Sequence, residues 1–123
     1  MYIRKGIFGM QLNETGKMAL EFNKKMREYF GDRVKDFVIY DVDDDPNHRA
    51  FSIDFDAYNY FNIITTYEKG RFGCSIQYGK YCIGLDNSQK WWDTADFNIF
   101  FKELKEELEL RIPDKYLEAK GWK

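Results

Sequence analysis

The sequence predicts an α+β domain: an N-terminal helix, an antiparallel sheet of four to five strands, and a C-terminal helix followed by a short terminal helix. Apolar residues recur every three or four positions between 14 and 30 and between 97 and 110, which is the period of a helix. Between 35 and 85 they recur at every second position, which is the period of a strand. At 123 residues the chain can bury one core but not two, so residues 1–123 are expected to form a single domain.

The first helix is predicted to run from Glu14 to Phe30. Asn13 can cap its first turn because its side-chain oxygen accepts a backbone N–H, and Gly31 suits the left-handed position just past the last turn. The side chains expected to face the core share one stripe at helical spacing: Met18, Ala19, Phe22, Met26, Tyr29 and Phe30.

Antiparallel strands are predicted where aromatic and β-branched residues alternate with polar ones: about 36–42, 50–57, 60–67, 71–78 and, as a fifth, 80–85. The runs 44–47 and 68–71 have the composition of turns, because they combine aspartate, proline, asparagine, lysine and glycine. Residues 57–59 are either a bend or part of one long strand.

The second long helix is expected to begin after Thr94 or Asp96, either of which can cap it, and to end near Leu110. Trp91 and Trp92, just before it, are interpreted as a packing anchor. The buried stripe of this helix is predicted to be Phe97, Phe100, Phe101, Leu104 and Leu108.

The last eleven residues are predicted to form a short helix that folds back on the core. Pro113 cannot continue a helix, so it ends the second helix and opens the terminal one over 114–120. Gly121 is expected at its C-terminal cap. Tyr116, Leu117 and Trp122 supply the apolar surface, and Trp122 is expected to be buried.

The segment from 41 to 56 has the most uneven charge in the chain, because it holds six carboxylates and, as counter-charge, only Arg49. Within 51–56, apolar residues alternate with Ser52, Asp54 and Asp56, so one strand face should be apolar and the other should carry carboxylates. Such a face can dock on a basic surface. The expected partner-binding residues are these acids, with two tyrosines as aromatic anchors: Asp41, Asp43, Asp44, Asp45, Asp54, Asp56, Tyr58 and Tyr60.

Charge and hydropathy exclude several classes of partner. The net charge of −2 lacks the basic excess of nucleic-acid-binding domains, and the tyrosines of the sheet stand beside acids that would repel a polyanion. No apolar run approaches the roughly 18 residues that cross a bilayer, so no membrane partner is expected. The N-terminus lacks the apolar core of a signal peptide, and Cys74 and Cys82 are interpreted as reduced thiols, so the protein is expected to be cytoplasmic.

Motifs for catalysis or metal binding are weak. An EF-hand loop starting at Asp41 would need glycine at its sixth position and glutamate at its twelfth, where this chain has proline and serine. We therefore expect no metal, no cofactor and no catalytic residue, and a binding protein rather than an enzyme. Two alternatives stay open: a small hydrolase using Cys74 or Cys82 with His48, and a homo-oligomeric structural domain that pairs through an exposed strand edge.

The stretch 97–122, read as FNIFFKELKEELELRIPDKYLEAKGW, resembles the ending of bacterial immunity proteins that accompany polymorphic toxins, and most of all those of contact-dependent growth inhibition systems. The likeness rests on the amphipathic helix, the run 111–117 and the pair Gly121-Trp122. It implies a small cytosolic protein that neutralises a cognate toxin domain by covering its active site or substrate surface. Such toxins are often nucleases, whose substrate surfaces are basic because they hold phosphates, and the acidic strand face suits that partner. The resemblance carries over no interface residue by motif.

Overall fold

The computed structural model describes residues 2–3, 13–85 and 90–123. A short 3₁₀ turn at Gly31–Arg33 joins the first helix to the sheet. The other elements follow in this order: β1 (Tyr2–Ile3), α1 (Glu14–Phe30), β2 (Val34–Asp43), β3 (Ala50–Ala57), β4 (Phe61–Glu68), β5 (Arg71–Tyr78), β6 (Tyr81–Gly84), β7 (Lys90–Trp91), α2 (Phe97–Leu110) and α3 (Asp114–Ala119).

The strands form one seven-stranded sheet in the order β1-β2-β3-β4-β5-β6, with β7 also paired to β5. The β2-to-β6 strands are antiparallel neighbours, and among the described strands β1 alone pairs in parallel. The predicted α+β class is therefore confirmed, and the five longer strands lie where the alternation placed them. The two-residue strands β1 and β7 were not predicted, because two residues are too few to show a period.

The bounds of α1 agree with the prediction because both ends carry local stop signals. The Asn13 side-chain oxygen accepts a hydrogen bond from the Gly16 N–H at 2.6 Å. Gly31 has a φ of +59°, a conformation that favours glycine, and its N–H donates to the carbonyl of Arg27. At α2, Asp96 is the capping residue, and it accepts from the N–H groups of Asn98 and Ile99.

One face of the sheet is covered by the helices, and the other is the outer face. In β3 the odd-numbered residues, such as Ile53 and Phe55, are buried, whereas the even-numbered ones are partly exposed. β4 repeats the pattern, with Ile63 fully buried. The outer face is therefore lined by Ser52, Asp54 and Asp56 together with their neighbours on adjoining strands.

Aromatic rings hold the helices to the sheet. Phe22 of α1 contacts Phe72 of β5 at 5.8 Å between ring centroids, and Phe101 of α2 at 5.6 Å. Trp92 closes the same cluster, with its ring 5.1 Å from that of Phe97. The neighbouring Trp91 is 58 % exposed, so of the two expected anchors only Trp92 packs into the core.

The C-terminal segment folds back as expected, but its anchor is not the tryptophan. Leu117 in α3 is fully buried, and Ile112 just before α3 is 4 % exposed. Trp122 is half-buried rather than buried, because its ring packs edge-on against Tyr58 while its indole N–H reaches Asp32 at the surface, 3.2 Å away. α3 ends at Ala119, and Gly121, with φ +78°, lies one residue past its cap.

We expect Leu117→Ala to destabilise the domain by about 2–5 kcal/mol, because it leaves a cavity where α3 meets the core. Denaturant unfolding followed by circular dichroism would measure the change. Leu110→Ala is the matched control, since the Leu110 side chain at the end of α2 is 79 % exposed. An unchanged midpoint for Leu117→Ala would show that α3 does not contribute to the stability of the core.

Candidate acidic interface

The β2–β3 hairpin carries three carboxylates along the outer face of the sheet, and we call them the acidic stripe: Asp43, Asp54 and Asp56. Asp43 pairs with Ala50, and Asp54 and Asp56 follow on the same face of β3. Six residues separate the Asp43 row from the Asp56 row, which at about 3.3 Å per residue gives a stripe about 20 Å long. The acids predicted to bind a partner therefore lie along a line rather than in one compact cluster.

The turn end of the hairpin adds two exposed carboxylates, Asp41 and Asp45. Asp41 has a φ of +52° at an irregularity in β2, where two residues lie opposite one residue of β3. Asp45 is 3.7 Å from the Nδ1 atom of His48. Among the residues that the structure describes, neither Asp41 nor Asp43 forms an ion pair.

Asp44 has a structural role, because it joins the hairpin to the start of α1. Its Oδ1 atom accepts hydrogen bonds from the Thr15 N–H at 3.0 Å and from the Thr15 hydroxyl at 2.8 Å. The Arg49 guanidinium donates to the same oxygen at 2.7 Å. The Thr15 hydrogen bonds, assisted by the Arg49 charge, hold the pKa of Asp44 below its usual range. Arg49, the counter-charge among the six acids of this segment, thus pairs with Asp44.

Asp54 and Asp56 are partly exposed and already accept hydrogen bonds. The Tyr40 hydroxyl donates to Asp54 at 2.8 Å, and the N–H of Asn59 donates to Asp56 at 2.9 Å. Burial, followed by the hydrogen bond to Asp54 and its negative charge, raises the pKa of Tyr40 to about 12. Lys35 of β2 lies opposite Asp56, so the stripe has a cation at this end.

Tyr58 is a correction, because it cannot serve as an exposed aromatic anchor. It is fully buried, and it lies in the β3–β4 turn with a φ of +62°. The Tyr58 hydroxyl donates to Glu109 at 2.7 Å, and its carbonyl accepts from the Tyr116 hydroxyl at 2.8 Å. Burial first, and then the bond to Glu109, raise the pKa of Tyr58. Strand alternation could not reveal this, since the turn interrupts the alternation at Ala57.

Tyr60 remains available at the same turn. It is 44 % exposed, and its ring packs edge-on against Phe61 at 4.8 Å and Tyr116 at 5.2 Å. These contacts fix the ring while leaving part of it open, which is the arrangement of an aromatic anchor at a protein interface. Tyr60 lies four residues after Asp56, at the end of the stripe away from the Asp43–Asp45 turn.

The residues of the hydrolase alternative are not brought together. Cys74 is buried beside the Thr65 hydroxyl, and burial raises the pKa of its thiol to about 12. Cys82 is exposed on β6, whereas His48 lies in the β2–β3 turn. The β4 and β5 strands separate these two elements, and the turn is at the far end of β3, so Cys82 and His48 are more than about 20 Å apart.

A hollow of about 420 Å³ opens between α1 and the start of α2. Its polar groups serve the fold: Asp96 caps α2, and the Lys25 ammonium lies 4.5 Å from the centre of the Phe97 ring. Within residues 13–85 and 90–123, no group of three histidine, cysteine, aspartate or glutamate side chains could hold a metal ion. None of the described helices is both long and apolar enough to cross a membrane.

Comparison with protein-family profiles, with curated protein sequences and with solved structures gives no match to this chain. Two residues beside the acidic stripe, Tyr40 and Lys35, were not predicted from the sequence, because only the strand register places them next to Asp54 and Asp56.

The depressed pKa of Asp44 predicts a pH-dependent contribution to stability. Because the folded pKa lies below the ordinary value of 3.8, this contribution is present above pH 3.8 and is lost as the pH falls through the folded pKa. We expect Asp44→Asn to lower the denaturant midpoint at pH 7, and the difference from the unsubstituted protein to shrink below pH 3.8.

Asp45→Asn is the matched control for that pH series, because Asp45 is exposed in the same turn and Arg49 bonds Asp44 instead. At pH 7 its midpoint should change less than that of Asp44→Asn. A difference for Asp44→Asn that stayed constant from pH 7 into the acid range would contradict the assigned role of the ionised carboxylate.

Proposed function

We propose that this chain is an immunity protein, which binds and neutralises a cognate bacterial toxin domain by a stoichiometric protein–protein complex. The observation that carries the proposal is the acidic stripe with its exposed turn, where Asp41, Asp43 and Asp45 are free of lysine and arginine partners among the described residues. These three carboxylates lie within five positions of the chain, so their like charges repel each other, and a basic partner relieves that repulsion when it docks.

The chemistry of the stripe favours a nuclease as the toxin. A surface that binds nucleic acid carries lysine and arginine spaced along a phosphate backbone, so it is basic over a length rather than at a point. A line of carboxylates about 20 Å long matches such a surface in both sign and shape. Occupying it would exclude the substrate without any chemistry on the part of the immunity protein, which would act in the cytoplasm.

Within the interface, acids and aromatic residues have different roles. Exposed carboxylates chiefly raise the association rate and set the register of docking, while a fixed aromatic ring contributes more of the affinity. Tyr60, held by Phe61 and Tyr116, supplies such a ring at the end of the stripe beyond Asp56. The assigned interface residues are Asp41, Asp43, Asp45, Asp54, Asp56 and Tyr60, with Asp44 supporting the hairpin.

Removing the charges while keeping the hydrogen bonds tests the proposal most directly. Asparagine preserves the acceptor oxygens that Tyr40 and Asn59 use, and it tolerates the left-handed conformation of Asp41. We expect Asp41, Asp43 and Asp45 changed together to asparagine, or Asp54 and Asp56 changed together, to weaken toxin binding at least tenfold, about 1.4 kcal/mol. The salt dependence of binding should also flatten.

The measurement is titration calorimetry at two salt concentrations, with the protein encoded by the reading frame immediately upstream tested as the toxin, together with rescue of growth on co-expression. Glu106→Gln with Glu118→Gln is the control, because these exposed acids lie on the helices and the change removes the same kind of charge. Equal affinity for both sets of hairpin variants and the control would move the interface to another surface.

The competing hydrolase function has its own test. We expect His48→Ala, Cys74→Ser and Cys82→Ser, combined in one chain, to protect cells as well as the unsubstituted protein does, because inhibition by occlusion needs none of these groups. Melting temperature checks that the variant is folded, since Cys74 is buried. Loss of protection by a variant with the native melting temperature would favour the enzymatic reading.

A further inference from the structure

The edge strand β6 differs in character from the rest of the surface. Tyr81, Cys82, Ile83 and Gly84 are all exposed, and they pair with β5 along one side. Among the described residues, no strand pairs with the other side of β6. A strand edge of this kind presents backbone N–H and C=O groups to any second strand that can approach it.

The hydrogen-bond pattern identifies which groups are free. The Leu85 N–H donates to the Cys74 carbonyl at 3.4 Å, so Leu85 and Cys74 form a hydrogen-bonded pair of the antiparallel ladder. Such pairs alternate along the strand, which directs the backbone groups of Ile83 and Tyr81 toward β5. The backbone groups of Cys82 and Gly84 consequently point away from the sheet.

The side chains at this edge are apolar and carry little charge. Tyr81 is 69 % exposed and Ile83 is 47 % exposed, and both lie on the helix-facing side, in register with Tyr78 and Ile76. The eight residues 78–85 contain a single charged group, Lys80, in a chain that is 33 % charged. A basic toxin would find no carboxylate here, so this edge does not suit the partner proposed for the acidic stripe.

A second copy of the chain does suit it. We propose that β6 pairs with β6 of a second copy in an antiparallel, two-fold arrangement that joins the two sheets. In an antiparallel pair, two residues directly opposite each other have their side chains on the same face of the sheet, so the two-fold axis must pass through a residue position and not between two residues. In β6 that position is Cys82 or Ile83, the two central residues of the strand. In either case the apolar side chains of residues 81 and 83 meet apolar partners across the junction, as stable cross-strand pairs do.

The charges agree with this arrangement. The two Lys80 residues lie at opposite ends of the paired strands, at least four residues apart along the strand, or about 13 Å. That separation exceeds the screening length of about 8 Å at physiological ionic strength, so their repulsion is small. The contact involves only a four-residue strand from each copy, which is at the small end of protein interfaces, and the dimer is therefore weak and reversible.

Sedimentation equilibrium on the full chain, with a reductant present and over about 10 µM to 1 mM, tests the proposal. The unsubstituted protein should shift from monomer to dimer across that range. Ile83→Lys places a charge in the apolar junction, and it should raise the dimer dissociation constant at least tenfold. Thr66→Lys is the matched control, since Thr66 is exposed on β4, two strands from the edge. This variant should dimerise as the unsubstituted protein does.

A second variant guards against a trivial effect of the lysine. Cys82→Pro removes an N–H that the β5–β6 ladder does not use, so the monomer should keep its denaturant midpoint while the dimer is lost. A chain that stays monomeric at every concentration would overturn the proposal and leave the edge for a strand of another protein. A dimer that persists in both Ile83→Lys and Cys82→Pro would also overturn it.

Discussion

The aromatic cluster around Phe22 is the contact on which the rest of the structure depends. Rings from α1, the sheet, the segment before α2, and α2 itself all meet there, at centroid distances from Phe22 of 5.6 to 6.3 Å. Large rings bury much area for few rotatable bonds, so a small domain can obtain a stable core from a few such contacts. The helices are thereby held to one face of the sheet, and the opposite face is left without any role in packing the core.

The far end of the sheet is held by polar contacts at Tyr58. Its N–H donates to the Arg33 carbonyl, its hydroxyl to Glu109, and its ring supports Trp122. A tyrosine with positive φ is strained on its own, and such a conformation persists only where its surroundings determine it. Here three contacts do so, which explains why a residue in a turn is fully buried. Tyr60 in the same turn is exposed. One short turn therefore contains both a buried residue that stabilises the fold and an exposed residue that can contact a partner.

Only one face of the sheet packs against the helices, and this has a functional consequence. Residues on the covered face must fit the core, whereas residues on the outer face and at the β6 edge can vary without changing the core. The two free surfaces differ in chemistry: a line of carboxylates fits a basic, hydrated partner, and a charge-poor edge fits a strand of similar composition. Because β4 and β5 separate β6 from the hairpin that carries the acidic stripe, pairing at the β6 edge leaves the stripe uncovered. The proposed neutralisation and the proposed dimer can therefore coexist.

The sequence by itself determined the helices, the five longer strands and their order, because helical and strand periods, the cap at Asn13 and the stop at Pro113 are local signals. It also determined that Asp54 and Asp56 share a strand face, since alternation is a property of the strand alone. Tertiary structure decided which charges are free. Asp44 accepts hydrogen bonds from Thr15 and Arg49, and Lys35 lies opposite Asp56. The Thr15 and Lys35 contacts join residues that are distant in sequence. Tyr58 was buried for the same reason: periodicity says which side a residue faces, and only the packing of other segments says whether that side is covered.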